Sequence, residues 1–457
     1  MNAFSRRGAC PALSAPMQTG DGLLVRLNPA AGGLTPKLLI SLAESALRHG
    51  NGIMEVTARG SLQIRGLTAE SAELLAAEVD ALGIAVRTGV PVETGPLAGI
   101  DPREIADPRP LAERIRVAIE DAGLTPRLGP KVSVVVDGGG QLTLDGVTAD
   151  VRLNAVRDDE GVLWTVFVAG DGQSAKQLAT VEDDAARDIT VAALRMVAEK
   201  GRDAHARDLS ERQLASLAGW LCLTGLREAR PSVLPDISPA RGERGAVGRN
   251  RRPIGFFNVS HATALGIGLP YGSMPADKII ALARHALTLG TTEIRLAPGR
   301  ALLFVGQPDA VCTSLQAAAT TLGFVTSPSD PRTRIAACPG TPACASGRIA
   351  TRDIAETIAA ENADILDFTL HISGCAKGCA HPGPAALTIV GGENGAGLVV
   401  NATAKALPAG YRPGYDAARG IGRVAAAIRS ARSQGETAAA CLTRLGPAAI
   451  AETYQQE

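Results

Sequence analysis

Slid along itself by 240 residues, this chain meets its own pattern: residues 32–86 fall on 272–326 without a gap, and thirteen of the 55 positions are identical. That repeat constrains the fold more than any other feature, because a recurring unit has to bury one face against its own copy or a shared partner. Each copy opens with an amphipathic helical pattern, "PKLLISLAESALRHG" and "ADKIIALARHALTLG", ending in a Gly where a left-handed cap is expected. Two short strands and a turn follow, then a second helical stretch, "AELLAAEVDALG" and "TSLQAAATTLG", again closed by Gly. Each copy reads as one α+β unit of ferredoxin-like character.

The same offset continues with weaker similarity. "GPLAGID" (95–101) falls on "IAACPGT" (335–341), and "KVSVVVDGG" (131–139) falls on "HISGCAKGC" (371–379). On this gapless reading Cys338, Cys344, Cys375 and Cys379 lie opposite Ala98, Glu104, Val135 and Gly139. The expected organisation is a ferredoxin-like repeat at 18–92, an α/β domain at 93–245, a second repeat at 246–328 and a cysteine-bearing α/β domain at 329–457. A pseudo-twofold axis should relate the repeats. The Pro-, Gly- and Arg-rich stretch 231–253 reads as the linker between halves. The Ala-rich tail 401–457 reads as helical.

Charge excludes several partners. With 46 basic and 46 acidic residues and only 3% aromatics, no global field and no stacking surface favours nucleic acid. No apolar run is long enough to span a membrane, and the N-terminal twin Arg has no apolar stretch behind it. A cytoplasmic chain is expected, where disulfides rarely persist. The eight cysteines are then thiols, metal ligands or catalytic groups. Cys10 is unassigned and Cys312 stands singly; Cys222 and Cys441 sit in apolar helical stretches as small buried residues.

The remaining four cluster as C-x5-C, thirty intervening residues, then C-x3-C. Zinc knuckles are shorter, and no His stands at ligand spacing beside the first pair. Gly340, Gly347, Gly374 and Gly378 let the backbone wrap closely and aim amides at sulfur, as a [4Fe–4S] cluster requires. Structural zinc is the alternative.

"ACPGTPACASG" with "SGCAKGCAHP" resembles the signature of the nitrite and sulfite reductase family, in which a [4Fe–4S] cluster adjoins a sirohaem. "EVTARGSLQIRGL" (55–67) resembles that family's first-repeat strand–turn–strand. Within the family, "RRGACPALSAPMQTGDGLLVRL", "DPRTRIAACPGTPACASGRIATRDIA" and "LHISGCAKGCAHPGPAALTIVGG" are similar to the oxygen-dependent branch that serves aerobic cobalamin synthesis. The resemblance implies a monooxygenase that uses dioxygen to hydroxylate precorrin-3A at C20, closing a ring A acetate lactone. It also implies a mononuclear non-haem iron beside the cluster and electrons from an external NADH-dependent reductase. Three positions depart from the sirohaem enzymes: Lys377 stands for their Asn, Gly60 for their Gln, and Lys131 is the survivor of a lysine pair. A site with fewer cations holds an oxyanion less well. A sirohaem-dependent sulfite or nitrite reductase, and a non-catalytic iron–sulfur electron carrier, are the rival readings.

By period 2, Arg59, Ser61, Gln63 and Arg65 share one strand face. With the resemblance, Arg59, Gln63, Arg65 and Lys131 are the expected contacts to the carboxylates of a precorrin, which guanidinium forks suit. Lys377 and His381 are the expected catalytic groups beside the cluster. His371 is a weaker candidate, imidazole being a good iron ligand. "GIGLPYG" (266–272) has too little of a dinucleotide fingerprint around it to bind nicotinamide.

Overall fold

The computed structural model describes residues 11–30, 32–223, 252–260 and 262–456. Most of the 231–253 linker and Cys10 lie outside the described residues. Cys222 falls on the helix Glu211–Leu223.

The two repeats build two five-stranded sheets that exchange an edge. The first runs Met17–Thr19, Gly22–Leu27, Leu62–Leu67, Ile53–Val56 and then Ser273–Pro275. The second runs Gly255–Val259, Ala262–Gly268, Ala301–Val305, Glu293–Ala297 and then Gly33–Leu34. The last strand of each sheet comes from the other repeat, antiparallel to its neighbour, with Met274 opposite Met54 and Leu34 opposite Ile294. Reciprocal exchange of equivalent strands is what a pseudo-twofold axis produces.

The axis passes between the helices Pro36–His49 and Ala276–Thr288, which pack on each other. Thr35 caps the first, its hydroxyl accepting from the Leu38 amide at 3.3 Å, and Pro36 fits the first turn, where no amide is needed. Leu39, Leu42, Ala43 and Ala46 are buried in one core with Ile279, Leu282, Ala283 and Ala286, each 240 residues from its mate. A fully buried Leu contributes about 1.5–3 kcal/mol, so this shared seam joins the repeats into one body.

The two α/β units share one topology. Val92–Thr94, Val134–Asp137 and Ala149–Arg157 are parallel, and Val162–Gly170 and Lys176–Val181 follow antiparallel. Ile335–Ala337, Leu370–Ser373, Ala385–Gly392, Gly395–Ala402 and Gly410–Arg412 repeat that order and those directions. The strand registers correct the gapless alignment. Val92 pairs Val134 in the first unit and Ile335 pairs Leu370 in the second, so the offset becomes 243 at one strand and 236 at the next. Cys338, Cys344, Cys375 and Cys379 therefore lie opposite Gly95, Asp101, Gly139 and Thr143, so every cysteine changes its partner and Gly139 passes from Cys379 to Cys375. Connections of different length in the two copies cause the slip, and a gapless slide cannot register them.

The tail is helical only in part. It first completes the sheet with Gly410–Arg412, then forms the helices Ala417–Ala431 and Ala438–Gln455. Arg412 locks them down, bonding Asp416 and the carbonyls of Tyr454 and Gln456. Cys441 and Cys312 are buried. Among the described residues, no helix is long and apolar enough to cross a membrane.

Candidate functional site

Ile335–Ala337 and Leu370–Ser373 are parallel neighbours, so the loops that follow them leave from the same edge of the sheet. That edge, at the carboxyl ends of parallel strands, is where open α/β sheets bind ligands. Cys338 begins one loop and Cys375 the other. The Gly374 amide donates to Cys338 Sγ at 3.1 Å, and the Arg348 amide donates to the Gly374 carbonyl at 2.8 Å. A side chain at Gly374 would press on the Cα atoms of Gly340 and Gly347, both 3.2 Å from its Cβ position, and stand 3.6 Å from Cys338 Sγ. Three glycine backbones interlock beneath the first cysteine. Lys377 Nζ ties the loops together, donating to Ser346 Oγ at 2.8 Å.

Cys338 is buried, Cys344 and Cys375 are half-buried, and Cys379 is exposed as a residue. Protein packed around the Cys379 thiol pushes its pKa up, and the Cys338, Cys375 and Cys344 thiols push it further. Three sulfurs near enough to Cys379 to oppose its ionisation fit a shared cationic centre. Among the described residues, no three His, Cys, Asp or Glu side chains close tightly enough to hold a single metal ion. Amide-to-sulfur donation and glycine-lined walls fit an iron–sulfur cluster better than one zinc ion.

What the cysteine loops face differs from the equivalent surface in the other half. In the second repeat, Ala297, Ala301 and Leu303 pack against Leu97 and Leu142 in a closed apolar cluster. The matching positions of the first repeat are Thr57, Ser61 and Gln63, flanked by Glu55 and Arg65; of these, Glu55, Ser61, Gln63 and Arg65 are buried. The half that carries the cysteines thus faces buried polar groups, and the half without them faces apolar packing.

Two expectations for this face need correction. Arg65 is 4% exposed, and its guanidinium is held from three sides: by Asp21 at 2.9 Å, Glu55 at 3.2 Å and the Ala343 carbonyl at 2.5 Å. It pins the first sheet to the cysteine loop, and four of its five N–H groups are used in doing so. Gln63 belongs to the same network, its amide oriented to donate to Glu55 at 3.1 Å and to accept from Arg26 at 2.7 Å. Arg352 closes on Glu55 from the cysteine-bearing domain. Arg59 does not share the strand face. The strand begins at Leu62, and Arg59 sits in the preceding turn, closed by the Gly60 amide on the Thr57 carbonyl at 2.9 Å. From there it donates to Ser133 Oγ at 3.2 Å and to the Thr148 carbonyl at 2.5 Å. It lines a cleft with Arg87, Arg116, Arg295 and Glu93. Lys131 is exposed, two residues before Ser133.

His381 is half-buried, with Nε2 3.1 Å from the Pro384 carbonyl. Its ring stands edge-on to His371, centroids 5.8 Å apart. His371 is completely buried with neither ring nitrogen partnered. Burial, then His381 and Arg300, push its pKa down to about 4, so it is neutral at physiological pH. The "GIGLPYG" stretch is no nucleotide loop: it runs through the strand Ala262–Gly268, and Tyr271 turns inward to donate to Glu356 at 2.9 Å.

Sequence reasoning missed Arg300. It occupies the repeat position of Gly60, and both take left-handed backbone, φ +68 and +80. An Arg opposite a Gly in a turn that needs positive φ was visible in the 240-residue offset, and it was the available signal.

Comparison with known proteins agrees with this geometry. Residues 15–82 match the nitrite/sulfite reductase ferredoxin-like half domain. A precorrin-3B synthase of Sinorhizobium sp is 39% identical over 457 residues, spanning 99% of this chain and 96% of that protein. A ferredoxin–nitrite reductase of Synechococcus elongatus is 25% identical over 401 residues, 82% of this chain and 77% of that one. The structure of the NirA protein of Mycobacterium tuberculosis shares the fold, with a TM-score of 0.70 at 19% identity over 94% of this chain and 84% of that chain.

Proposed function

This chain belongs to the precorrin-3B synthase family, and on that premise we propose that it hydroxylates precorrin-3A at C20 with dioxygen and closes the ring A acetate onto C1 as a lactone. One oxygen atom becomes the hydroxyl and the other leaves as water. The two electrons needed come from NADH through a separate reductase. The observation that carries the reading is the asymmetry between halves: cysteine loops over buried polar groups in one, a sealed apolar contact in the other.

Cys338, Cys344, Cys375 and Cys379 would hold a [4Fe–4S] cluster, which supplies one-electron transfer when bound. Imidazole suits a mononuclear non-haem iron, but among the described residues no three His, Cys, Asp or Glu side chains could hold one; His381, edge-on to the neutral His371, would instead move a proton. Lys377 holds the two cysteine loops in register and adds a cation at their exposed edge. Arg59 is the carboxylate anchor: a hydroxyl and a carbonyl orient its fork without neutralising it. Lys131, near the Ser133 that Arg59 contacts, adds a second cation. An anchored macrocycle presents its acetate to C1 at high effective concentration.

The visible spectrum of anaerobically purified protein tests this reading against a sirohaem reductase. A broad charge-transfer shoulder with about four iron and four sulfide per chain, beyond any mononuclear iron, is expected from a cubane. Intense porphyrinoid bands in the resting protein would favour the sulfite or nitrite reductase instead.

A further inference from the structure

We infer that Arg300 is a fixed positive charge set against the second cysteine loop, where it raises the reduction potential of the centre those cysteines hold. The inference rests on the iron–sulfur reading above and extends it to a residue outside the cysteine motifs.

Four observations converge on it. The residue holds left-handed backbone, φ +68, at a turn where the other repeat uses Gly60. A side chain in that conformation is unfavourable and persists where the surroundings require it. The side chain passes close over Gly272, where a Cβ would lie 2.7 Å from both Arg300 Cδ and the Val56 carbonyl. The path ends at the cysteine loop, Arg300 Nη2 donating to the carbonyl of Ala380, the residue after Cys379, at 3.2 Å. Finally, its charge is uncompensated. Among the described residues, no carboxylate comes within ion-pair distance of Arg300; Arg252 and Arg352 add like charge, and the nearby Glu55 is taken by Arg65 and Arg352. Burial and those two cations hold its pKa below the usual guanidinium value.

A guanidinium with no carboxylate of its own points to an anion, and four thiolates around a cluster are one. Reduction adds a further negative charge to that centre. A fixed cation stabilises the reduced form more than the oxidised one, so the potential rises. The turn that carries Arg300 also meets the turn that carries Arg59, the Gly299 amide donating to the Ala58 carbonyl at 2.9 Å. One pair of crossing turns thus holds a cation toward the cysteines and another toward the cleft.

The test is a redox titration of the full-length, cluster-loaded protein, followed by the spectroscopic signal of the reduced cluster, for wild type, Arg300→Gln and Arg300→Lys. Arg300→Gln removes the charge at similar length and should weaken the hold on the electron about tenfold, which for a one-electron couple is about 59 mV downward. Arg300→Lys keeps the charge and should stay near wild type. Arg429→Gln, an arginine paired with Asp364 elsewhere in the domain, should leave the potential unmoved. An unchanged potential in Arg300→Gln at full iron and sulfide content overturns the inference. So does an equal fall in Gln and Lys variants, which would mean loop ordering without charge. If Arg300→Gln does not load, the Lys variant decides alone: a wild-type potential supports the charge and a lowered one overturns it. Wild-type protein that holds no iron and sulfide would take down the cluster reading itself.

Discussion

Glu44 and Arg284 form an ion pair, Oε1 to Nη2 at 3.0 Å, and they stand 240 residues apart. They occupy the same position in the two copies of the repeat, so the pair spans the pseudo-twofold axis. One copy carries the acid and the other the base, so the axis is spanned by opposite charges.

The pair predicts a measurable coupling. Both side chains are more than a third exposed, so Glu44→Arg or Arg284→Glu alone should cost about 0.5–1 kcal/mol by adding like-charge repulsion. The double swap should recover most of that loss. Denaturant unfolding of the four proteins checks it. Additive losses in the double swap would mean that the residues do not interact across the axis in solution.

Arg65→Ala should be far more damaging. It would take the guanidinium from Asp21, leave Glu55 with Arg352 and Gln63 alone, and release the Ala343 carbonyl, at a cost of about 3 kcal/mol. The cysteine loop should loosen with it, and iron and sulfide content should fall together. Arg65→Lys should rescue little, because an ammonium cannot serve three acceptors in the guanidinium plane. A variant with wild-type stability would show that the network is ornamental.

A pH-dependence follows from Glu104, which accepts the Gly99 amide at 2.8 Å. Burial raises its pKa to about 7, with Asp107 and Asp101 adding to the rise while the Gly99 amide and Arg109 oppose it. The folded state therefore holds a proton that the unfolded chain releases near 4.5. Stability from this group is complete below pH 4.5 and is lost as pH rises to about 7. Glu104→Gln, neutral throughout, should gain stability over wild type at pH 8 and match it at pH 4. Equal differences at both pH values would remove Glu104 as the source.

Arg59→Ala should weaken precorrin binding about tenfold or more, since it leaves a ligand carboxylate without its fork in a partly dry cleft. Exposed Lys37 serves as a control whose loss should change nothing. Calorimetric or fluorescence titration with the substrate reads the difference, and unchanged affinity in Arg59→Ala would take it out of the site.

Much of this was legible in the chain because the signals were local. Helical period marked both copies of the seam, and cysteine spacing marked the loops; of the terminal glycines, Gly83, Gly290 and Gly323 take the expected left-handed backbone, but Gly50 is extended at φ −111. The exchanged strands were not legible, since Gly33–Leu34 and Ser273–Pro275 are too short to carry a period. Arg65 misled for a different reason. A strand pattern shows which face a side chain takes, but not that Asp21 and Glu55 already wait there. The opposite error concerns Arg59, where period 2 is carried past the start of the strand at Leu62 into a turn.

The central claim is that one atom of dioxygen enters the substrate. Reaction of precorrin-3A under 18O-labelled dioxygen, with NADH and a reductase, followed by mass spectrometry of the product, tests it most directly. One labelled oxygen is expected in the product, in the C20 hydroxyl, with the second label in water. An unlabelled product, or one formed equally well without oxygen, would contradict it.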